Sequence, residues 1–512
     1  MDSSKSTIES IEKFNTKNYS IMVKTNHLTG KCELRIQSKS SGKNFAVHKK
    51  YNLIDDDGNI IKTDYIKEEQ ATFIVKNFEV KGDTESFNIY ESDLIGKEIN
   101  GSRKIAISPK QIRHKRTKAE SSYTSTGEKL NYHWPIFEKY ADTGYGSIIR
   151  ATLTLHQVCA SRCPYCSTIG RNKKDSISLT EAKEFVEKLY FDQANYNKIN
   201  FPEYNRKYKE ITGSDIRLRG LILSGGGQPN LWPHFQEFVE WLSELDIDLG
   251  LITNGFPIKI DEEIYKKFKW IRISITPEDA SPHYIDNKFD KQYIPDTIIK
   301  NKNVTVGYSY VYGQWTDDDI LQRIKDSMNN NGFDYCRLLT DCNLSRSSQL
   351  KAHQNLAEKL FRLKLIDESG NPLDKFFHQL KYHGDPMDAQ DLWADGQCQL
   401  QIYNVFWDTT GHEDSGESYC YACDSITVLS EELNNSDSSF SERKFNHNKW
   451  GLVTNKEIDK LYNSPVKSYF DPKQVCTACL FTTNTKHIRN LTKTNDFNSL
   501  EVPTNLDHIN FP

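Results

Sequence analysis

The stretch "TLHQVCASRCPYCSTIG", residues 154–170, places Cys159, Cys163 and Cys166 close together in a 512-residue chain that has 11 cysteines. A strand-like run, "SIIRATLTLHQ", leads into it. Spacings of four and three residues on one loop can bring three thiols toward a common point. "CPYC" alone also suits a thiol redox pair, but that use leaves Cys159 idle. A zinc site would need a fourth ligand, and His156 lies nearby but on the preceding strand. Three thiolates on one loop suit an iron–sulfur cube whose last iron is left to another ligand.

Outward from this loop, strands and helices largely alternate. "IRLRGLILSGGG", "HFQEFVEWLSEL", "IDLGLITNG", "DEEIYKKF", "KWIRISITP", "NVTVGYSYVYG", "TDDDILQRIKDSM" and "FDYCRLLTDC" follow in order. Parallel strands joined by helical crossovers are the economical arrangement. The expected fold class is therefore α/β, a partial (β/α)6 TIM-like barrel over residues 148–350. Chemistry in such barrels sits at the strand C-terminal ends. The cysteine loop, "SGGGQP", "TNG" and "TDC" all fall there. In "SLTEAKEFVEKLYF" Thr180 is the expected helix N-cap. Residues 194–214, rich in Tyr, Asn and Lys, interrupt the alternation and read as an insertion, either a lid or an inert surface loop.

Residues 1–120 read as an N-terminal β-rich module. "KCELRIQ", "FAVHKKYNLI" and "ATFIVKNFEV" look like strands, and "DDDGN" (55–59) is a hairpin turn signal. The basic stretch "RKIAISPKQIRHKRTKAE" (103–120) is either a phosphate or acidic-peptide contact or a solvated linker face. Residues 365–512 form a C-terminal extension with less regular patterning. The net charge of -4 argues against a broad nucleic-acid footprint. No run of about eighteen apolar residues is present, so no membrane span is expected. The polar N-terminus "MDSSKSTIESIEKF" lacks a secretory signal, which points to a cytoplasmic, reducing setting. Clustered cysteines there more often bind metal or do chemistry than form disulfides.

"CASRCPYC" resembles the CxxxCxxC loop of the radical S-adenosylmethionine superfamily. "LSGGGQPNL" (223–231) stands where that family carries its glycine-rich motif, and "LITNG" and "IRISIT" resemble its third and fourth strands. The resemblance covers about residues 150–345. It implies that Cys159, Cys163 and Cys166 bind a [4Fe-4S] cluster, whose fourth iron is chelated by the amino and carboxylate groups of S-adenosylmethionine. A one-electron reductant such as flavodoxin or ferredoxin would then release a 5'-deoxyadenosyl radical that abstracts hydrogen from the substrate. Gly225, Gly226 and Gly227 permit close backbone approach to a ligand, or simply a tight turn. The family's acidic position before the proline is Gln228 here. Ser274, with Arg272 on the same face by alternation, is a candidate for the cofactor's ribose or carboxylate; internal pairing is the alternative. Asn254 would act similarly from the preceding strand end. Tyr165 would meet the adenine edge or shield the cluster.

Two further cysteines are candidates for returning a hydrogen atom to a substrate radical: Cys342, at the end of the sixth strand, and Cys398. For each, the alternative is a packed small side chain. Cys336 and Cys32 read as packing residues. Cys420, Cys423, Cys476 and Cys479 form two CxxC pairs, enough for one second metal centre, zinc or an auxiliary iron–sulfur cluster. The expected function is hydrogen abstraction from a ribosomally made peptide, with epimerisation or a related outcome. The alternatives are modification of a tRNA base, modification of a small metabolite, and a non-enzymatic iron–sulfur scaffold.

Overall fold

Alternate residues of the central strands differ in character, and a computed structural model shows what each face meets. The structure describes the backbone of strand segments between residues 9 and 107. It also describes most of residues 123–512, outside 167–171, 256–259, 276–293, 342–351, 367–374, 380–396, 425–451, 467–471, 473–480 and some single positions. Two compact units emerge: Met1–Thr117 with Ser345–Phe376, and Lys118–Leu344 with Phe377–Pro512.

In the first unit, β1 (Glu9–Asn15), β2 (Tyr19–Asn26) and β3 (Cys32–Ser38) pair antiparallel in chain order. Next to β4 (Lys49–Ile54) and β5 (Ile60–Ile66), β6 (Phe73–Ile74) differs in partner: it lies beside β3. β4 and β5 pair antiparallel across residues 55–59, where the sequence expects a hairpin turn. β7 (Phe87–Tyr90) pairs antiparallel with β8 (Lys104–Ile107). The rest of the basic stretch, residues 108–120, lies outside the described residues.

The second unit is a mixed α/β body built on one sheet flanked by helices. β9 (Arg150–Leu153), β10 (Gly220–Leu223), β11 (Asp248–Thr253), β12 (Trp270–Ile275), β13 (Thr305–Tyr312) and β14 (Tyr335–Thr340) lie side by side in chain order, all parallel. This is the order a six-fold βα series gives. β15 (Phe376–Gln379) lies next to β14. Beyond β9 come β16 (Asn404–Asp408), which is parallel to it, then β17 (Tyr419–Tyr421), antiparallel to β16, and β18 (Val453–Thr454), antiparallel to β17. The stretch read as a C-terminal extension thus supplies strands to the same ten-stranded sheet. As described, that sheet runs open from β15 to β18.

One face of the sheet is apolar. Leu221, Leu223, Leu251, Ile271, Val306, Tyr310, Cys336 and Leu338 are completely buried there. Crossover helices α2 (Leu179–Glu187), α5 (Phe235–Leu242) and α6 (Asp318–Asn331) are amphipathic, as such a face requires. Each large aliphatic side chain withdrawn from water contributes about 1.5–3 kcal/mol. The cap of α2 differs from expectation. Ser178 is the N-cap, and Glu181 answers it in a capping box, so the box lies two residues before the expected Thr180.

The opposite face carries Arg150, Arg272, Tyr335 and Trp270, and its strand-start end is filled by the final residues of the chain. Trp270, Ile222 and Phe511 cluster, Asn510 donates to Asp248 at 2.7 Å, and Arg150 donates to the Pro512 carbonyl at 2.7 Å. Gly220 has no side chain where the Asn510 carbonyl passes; a Cβ would collide with it.

The 194–214 stretch is helical rather than an irregular insertion: α3 (Gln193–Asn200) and α4 (Pro202–Thr212), which pack on α1 (Trp134–Thr143). Pro202 opens α4, where its missing N–H costs nothing. Between these helices lies Lys139, completely buried, donating to the Gly146 carbonyl at 2.8 Å, to Asn197 Oδ1 at 2.8 Å and to Ser147 Oγ. All three acceptors are neutral, and burial lowers the lysine's pKa from 10.5 to about 7. Between those values the unfolded chain binds more protons at this site than the folded one, so stability should rise with pH across that window. Lys139→Met removes the titration and strands the Gly146 carbonyl, while Ser147 Oγ still donates to Asn197 Oδ1 at 3.3 Å; a buried acceptor left unsatisfied costs about 1–3 kcal/mol. Chemical denaturation at pH 6 to 10 should show a wild-type advantage that grows with pH. A pH-independent difference would contradict a depressed lysine.

Candidate ligand site at the strand ends

The C-terminal ends of β9, β10 and β11 converge. β9 continues as Thr154–Val158 and enters the cysteine loop. The loop's two stems are tied by a bridge between His156 and Ser176 and by bonds from Gln157 N to the Asp175 carbonyl (2.9 Å) and Ile177 N to the Leu155 carbonyl (3.1 Å). The glycine turn after β10 lies directly on this stem. Gly227 N donates to the His156 carbonyl at 3.0 Å, and Gln228 N donates to the Val158 carbonyl at 2.7 Å. Gly225 (φ 86°) and Gly226 (φ 43°) are in the left-handed region, where a side chain is strained. A Cβ at Gly225 would strike Thr154, one at Gly226 would strike the Gln157 amide, and one at Gly227 would lie 2.6 Å from Val158 N. From β11, Asn254 Nδ2 donates to Ser161 Oγ inside the cysteine loop at 2.9 Å. Three segments far apart in sequence thus meet at one edge.

Gln157 and its neighbours are functional candidates that the sequence reading passed over. Gln157 is completely buried; its Nε2 donates to Asp408 Oδ1 at 2.9 Å, to Thr409 Oγ1 at 3.2 Å and to Thr410 Oγ1 at 3.3 Å. Its Oε1 has no hydrogen-bond partner among the described residues and packs on Gly226. Asp408 ends β16. Burial raises its carboxyl pKa against the bonds from Thr410 and Gln157, and Asp175 adds to the rise. Asp175, also completely buried, accepts the N–H groups of Gly411 and Glu413, each at 3.0 Å. His412 reaches Glu181 at 2.8 Å. Burial opposes its charge, but bonds from Ser178 and His412 hold Glu181 below the ordinary carboxylate value. The segment after β16 therefore clamps both stems of the cysteine loop. "NVFWD" offered only a strand pattern, with no signal that its last residue would meet Gln157.

The cysteines depart from expectation. Cys159 Sγ accepts the N–H of Ser161 at 3.4 Å, and Cys166 N closes a turn onto the Cys163 carbonyl at 3.0 Å. Among the described residues, no group of three or more His, Cys, Asp or Glu side chains is placed to hold a metal ion. This corrects the expectation of a [4Fe-4S] cluster on Cys159, Cys163 and Cys166, and of S-adenosylmethionine chelated to its fourth iron. The Cys159 thiol is engaged by its own loop, and no three such side chains among the described residues are placed to share one ion. The same finding overturns the expected second metal centre, zinc or an auxiliary iron–sulfur cluster. Cys420 lies in β17 opposite Trp407 and is completely buried, and burial raises its thiol pKa. Cys423 is half-buried, and Cys476 and Cys479 lie outside the described residues.

The remaining candidates separate. Tyr165 is half-buried on the cysteine loop, and Ser274 is half-buried near the end of β12. Arg272 is engaged lower down: its Nε donates to Tyr335 Oη at 3.2 Å, its Nη2 reaches the Tyr123 carbonyl at 3.5 Å, and its guanidinium lies 5.2 Å from the Trp270 ring centroid. Cys342 lies outside the described residues. Cys398 is half-buried and precedes the short helix Gln399–Ile402, which leads into the first residue of β16. That is the strand-start end, opposite the glycine turn. Cys336 is completely buried on the helix-covered face, and burial raises its pKa.

No family model matches the chain, and no curated protein matches it. Among solved structures, the chain is similar to Streptococcus suis SuiB bound to precursor peptide SuiA, at 12% identity and a TM-score of 0.39, over 65% of this chain and 68% of that one. A second similarity is to BtrN in complex with AdoMet and 2-DOIA, at 10% identity and a TM-score of 0.24, over 66% and 88%. A third is to TYW1 with a lysine-pyruvate adduct bound, at 15% identity and a TM-score of 0.27, over 45% and 78%. These are partial likenesses at low identity, and nothing further rests on them.

The contact between glycine turn and loop stem predicts a sharp cost for adding a single methyl. Gly227→Ala meets backbone, which cannot turn aside, so it should destabilise the protein by about 1–3 kcal/mol. Gly332→Ala, at a left-handed helix end with nothing within 4 Å, separates pure backbone strain from collision. Denaturant titration of both variants measures this. An unchanged midpoint for Gly227→Ala would contradict the close approach.

Proposed function

We propose that the chain is an enzyme of the radical S-adenosylmethionine type, which binds that molecule at the ends of β9–β12 and takes a hydrogen atom from a substrate. The supporting observation is the meeting of the "CASRCPYC" loop, the glycine turn and Asn254 at one edge. The proposal concerns the nucleoside-bearing cofactor and includes no metal centre.

The chain's own groups suit that ligand. Gly225, Gly226 and Gly227 are half-buried and present backbone without side chains. Ser274 and Asn254 offer a hydroxyl and an amide, the neutral polar groups that ribose hydroxyls and an amino-acid moiety require. Tyr165 would border the adenine. The buried Gln157–Asp408 bond fixes the wall behind the glycine turn. When bound and reduced by one electron, S-adenosylmethionine supplies the 5'-deoxyadenosyl radical that abstracts the hydrogen. A flavodoxin or ferredoxin is the proposed reductant.

A ribosomally made peptide is the proposed substrate. The antiparallel strands of the N-terminal unit support it, because an extended segment can pair with a sheet edge. If the reaction inverts a carbon centre, a thiol must return the hydrogen. Cys398 stands at the strand-start end, so this role falls to Cys342, which follows β14 in sequence.

Equilibrium dialysis should detect S-adenosylmethionine binding, and Asn254→Ala with Ser274→Ala should weaken it by about tenfold or more. Anaerobic incubation with a reductant should yield 5'-deoxyadenosine. Absence of binding would refute the reading. Cys342→Ala should leave 5'-deoxyadenosine formation intact and abolish deuterium uptake into product in deuterated water. Uptake retained in that variant would remove the thiol step.

A further inference from the structure

The return stem of the cysteine loop carries a second buried acid besides Asp408. A turn closes there, from Asp175 N to the Asn172 carbonyl at 3.1 Å, and Asp175 is completely buried behind it. Its peptide group meets the entry stem, where Gln157 N donates to the Asp175 carbonyl at 2.9 Å. Its carboxylate meets the segment after β16. Oδ2 accepts Gly411 N and Oδ1 accepts Glu413 N, each at 3.0 Å. Both carboxylate oxygens are thus in use, and one residue joins three chain segments. The Asp175 charge also adds to the rise of the Asp408 pKa, so the two acids lie within each other's field.

The segment that Asp175 holds has little else to fasten it. Gly411 (φ 86°) and Gly416 (φ 64°), both left-handed, bracket a single helical turn, His412–Ser415, and none of its four residues is buried. Without apolar burial such a turn is kept in place by its hydrogen bonds. It also touches α2, where His412 reaches Glu181 at 2.8 Å, with side chains 15% and 29% exposed. Partly exposed ion pairs contribute little. Bonds from backbone N–H groups to a buried carboxylate are charge-assisted and stronger. We infer that Asp175 is a positioning residue for the strand-end ligand site: through its carboxylate, the segment Gly411–Glu413 fixes the stem of the cysteine loop against the glycine turn. The connection runs through adjacent residues. Asp175 holds Gln157, and the neighbours of Gln157, His156 and Val158, offer the carbonyls to which Gly227 N and Gln228 N donate. The inference deepens the reading of that edge as the S-adenosylmethionine site and rests on it.

The test is Asp175→Asn in the full chain. The substitution keeps the shape but turns one accepting oxygen into a donor, so one of the two N–H groups meets another N–H. Hydrogen–deuterium exchange should speed up by about tenfold or more both at residues 409–416 and at the entry stem, residues 154–158. Equilibrium dialysis, under conditions where denaturation curves show both proteins fully folded, should find S-adenosylmethionine bound about fivefold or more weakly. Glu181→Gln, which removes the charge of the His412 pair, should have the smaller effect on both readouts. Where Asp175→Asn does not fold, Gly416→Ala serves instead. Nothing lies within 4 Å of its added methyl, so it loosens the same segment by backbone strain alone, and exchange at 154–158 should again rise. A purely structural Asp175 would lower the denaturation midpoint and leave stem exchange and the affinity of the folded protein as in wild type; that result overturns the inference. So does faster exchange at 409–416 with none at 154–158, or an effect of Glu181→Gln as large as that of Asp175→Asn. Wild-type protein that binds no S-adenosylmethionine refutes the cofactor reading, and stem exchange then decides the positioning role by itself. Wild-type binding that Asp175→Asn leaves undiminished refutes the positioning role alone.

Discussion

The close passage of the glycine turn over the stem of the cysteine loop is the constraint on which the rest of the site depends. Its backbone bonds to the His156 and Val158 carbonyls form only because residues 225–227 carry no side chains. That contact joins the ends of β9 and β10 into one surface. Gln157, wedged behind it, carries the constraint to β16 through Asp408. A buried carboxyl and a buried amide tolerate little displacement, since an unsatisfied partner costs about 1–3 kcal/mol. The glycines thus serve the protein's own packing first. Whatever ligand the turn receives meets a surface already fixed.

The sheet is finished differently at its two ends. At the strand starts the inner face is closed by Trp270, Tyr335 and Phe511, and Arg150 and Arg272 hold backbone carbonyls. At the strand ends the inner face turns polar and half-buried, with Asn254 and Ser274. A packed floor beneath a polar mouth makes the two ends of the sheet chemically distinct, and the proposed binding surface lies at the polar one.

Much of the fold was legible because periodicity is a local signal. "IRISIT" announces a strand, with Ile271 and Ile273 facing helices and Arg272 and Ser274 facing inward, and the structure agrees. The six-strand order follows the chain order of parallel strands joined by crossovers that carry helices. What was hidden depends on contacts distant in sequence. Nothing in "NVFWD" tells that Asp408 will receive Gln157 from 251 positions away. The cap of α2 is different: Ser178 and Glu181 stand three residues apart, so the box that displaces Thr180 is a local signal that the reading missed. The spacing of Cys159, Cys163 and Cys166 indicated proximity, but spacing does not fix where thiols point. The insertion 194–214 escaped because its packing mixes polar contacts, Lys139 to Asn197 among them, with aromatic ones such as His133 to Tyr208.

The central claim is that the meeting of the cysteine-loop stem, the glycine turn and the ends of β11 and β12 is a binding surface for S-adenosylmethionine. Hydrogen–deuterium exchange of the full chain, with and without saturating S-adenosylmethionine, tests it most directly. The account predicts added protection in peptides covering residues 154–166, 224–228, 253–255 and 272–275, and none in the strand-start segment 508–512. Protection confined to other segments, or none at all, would contradict it.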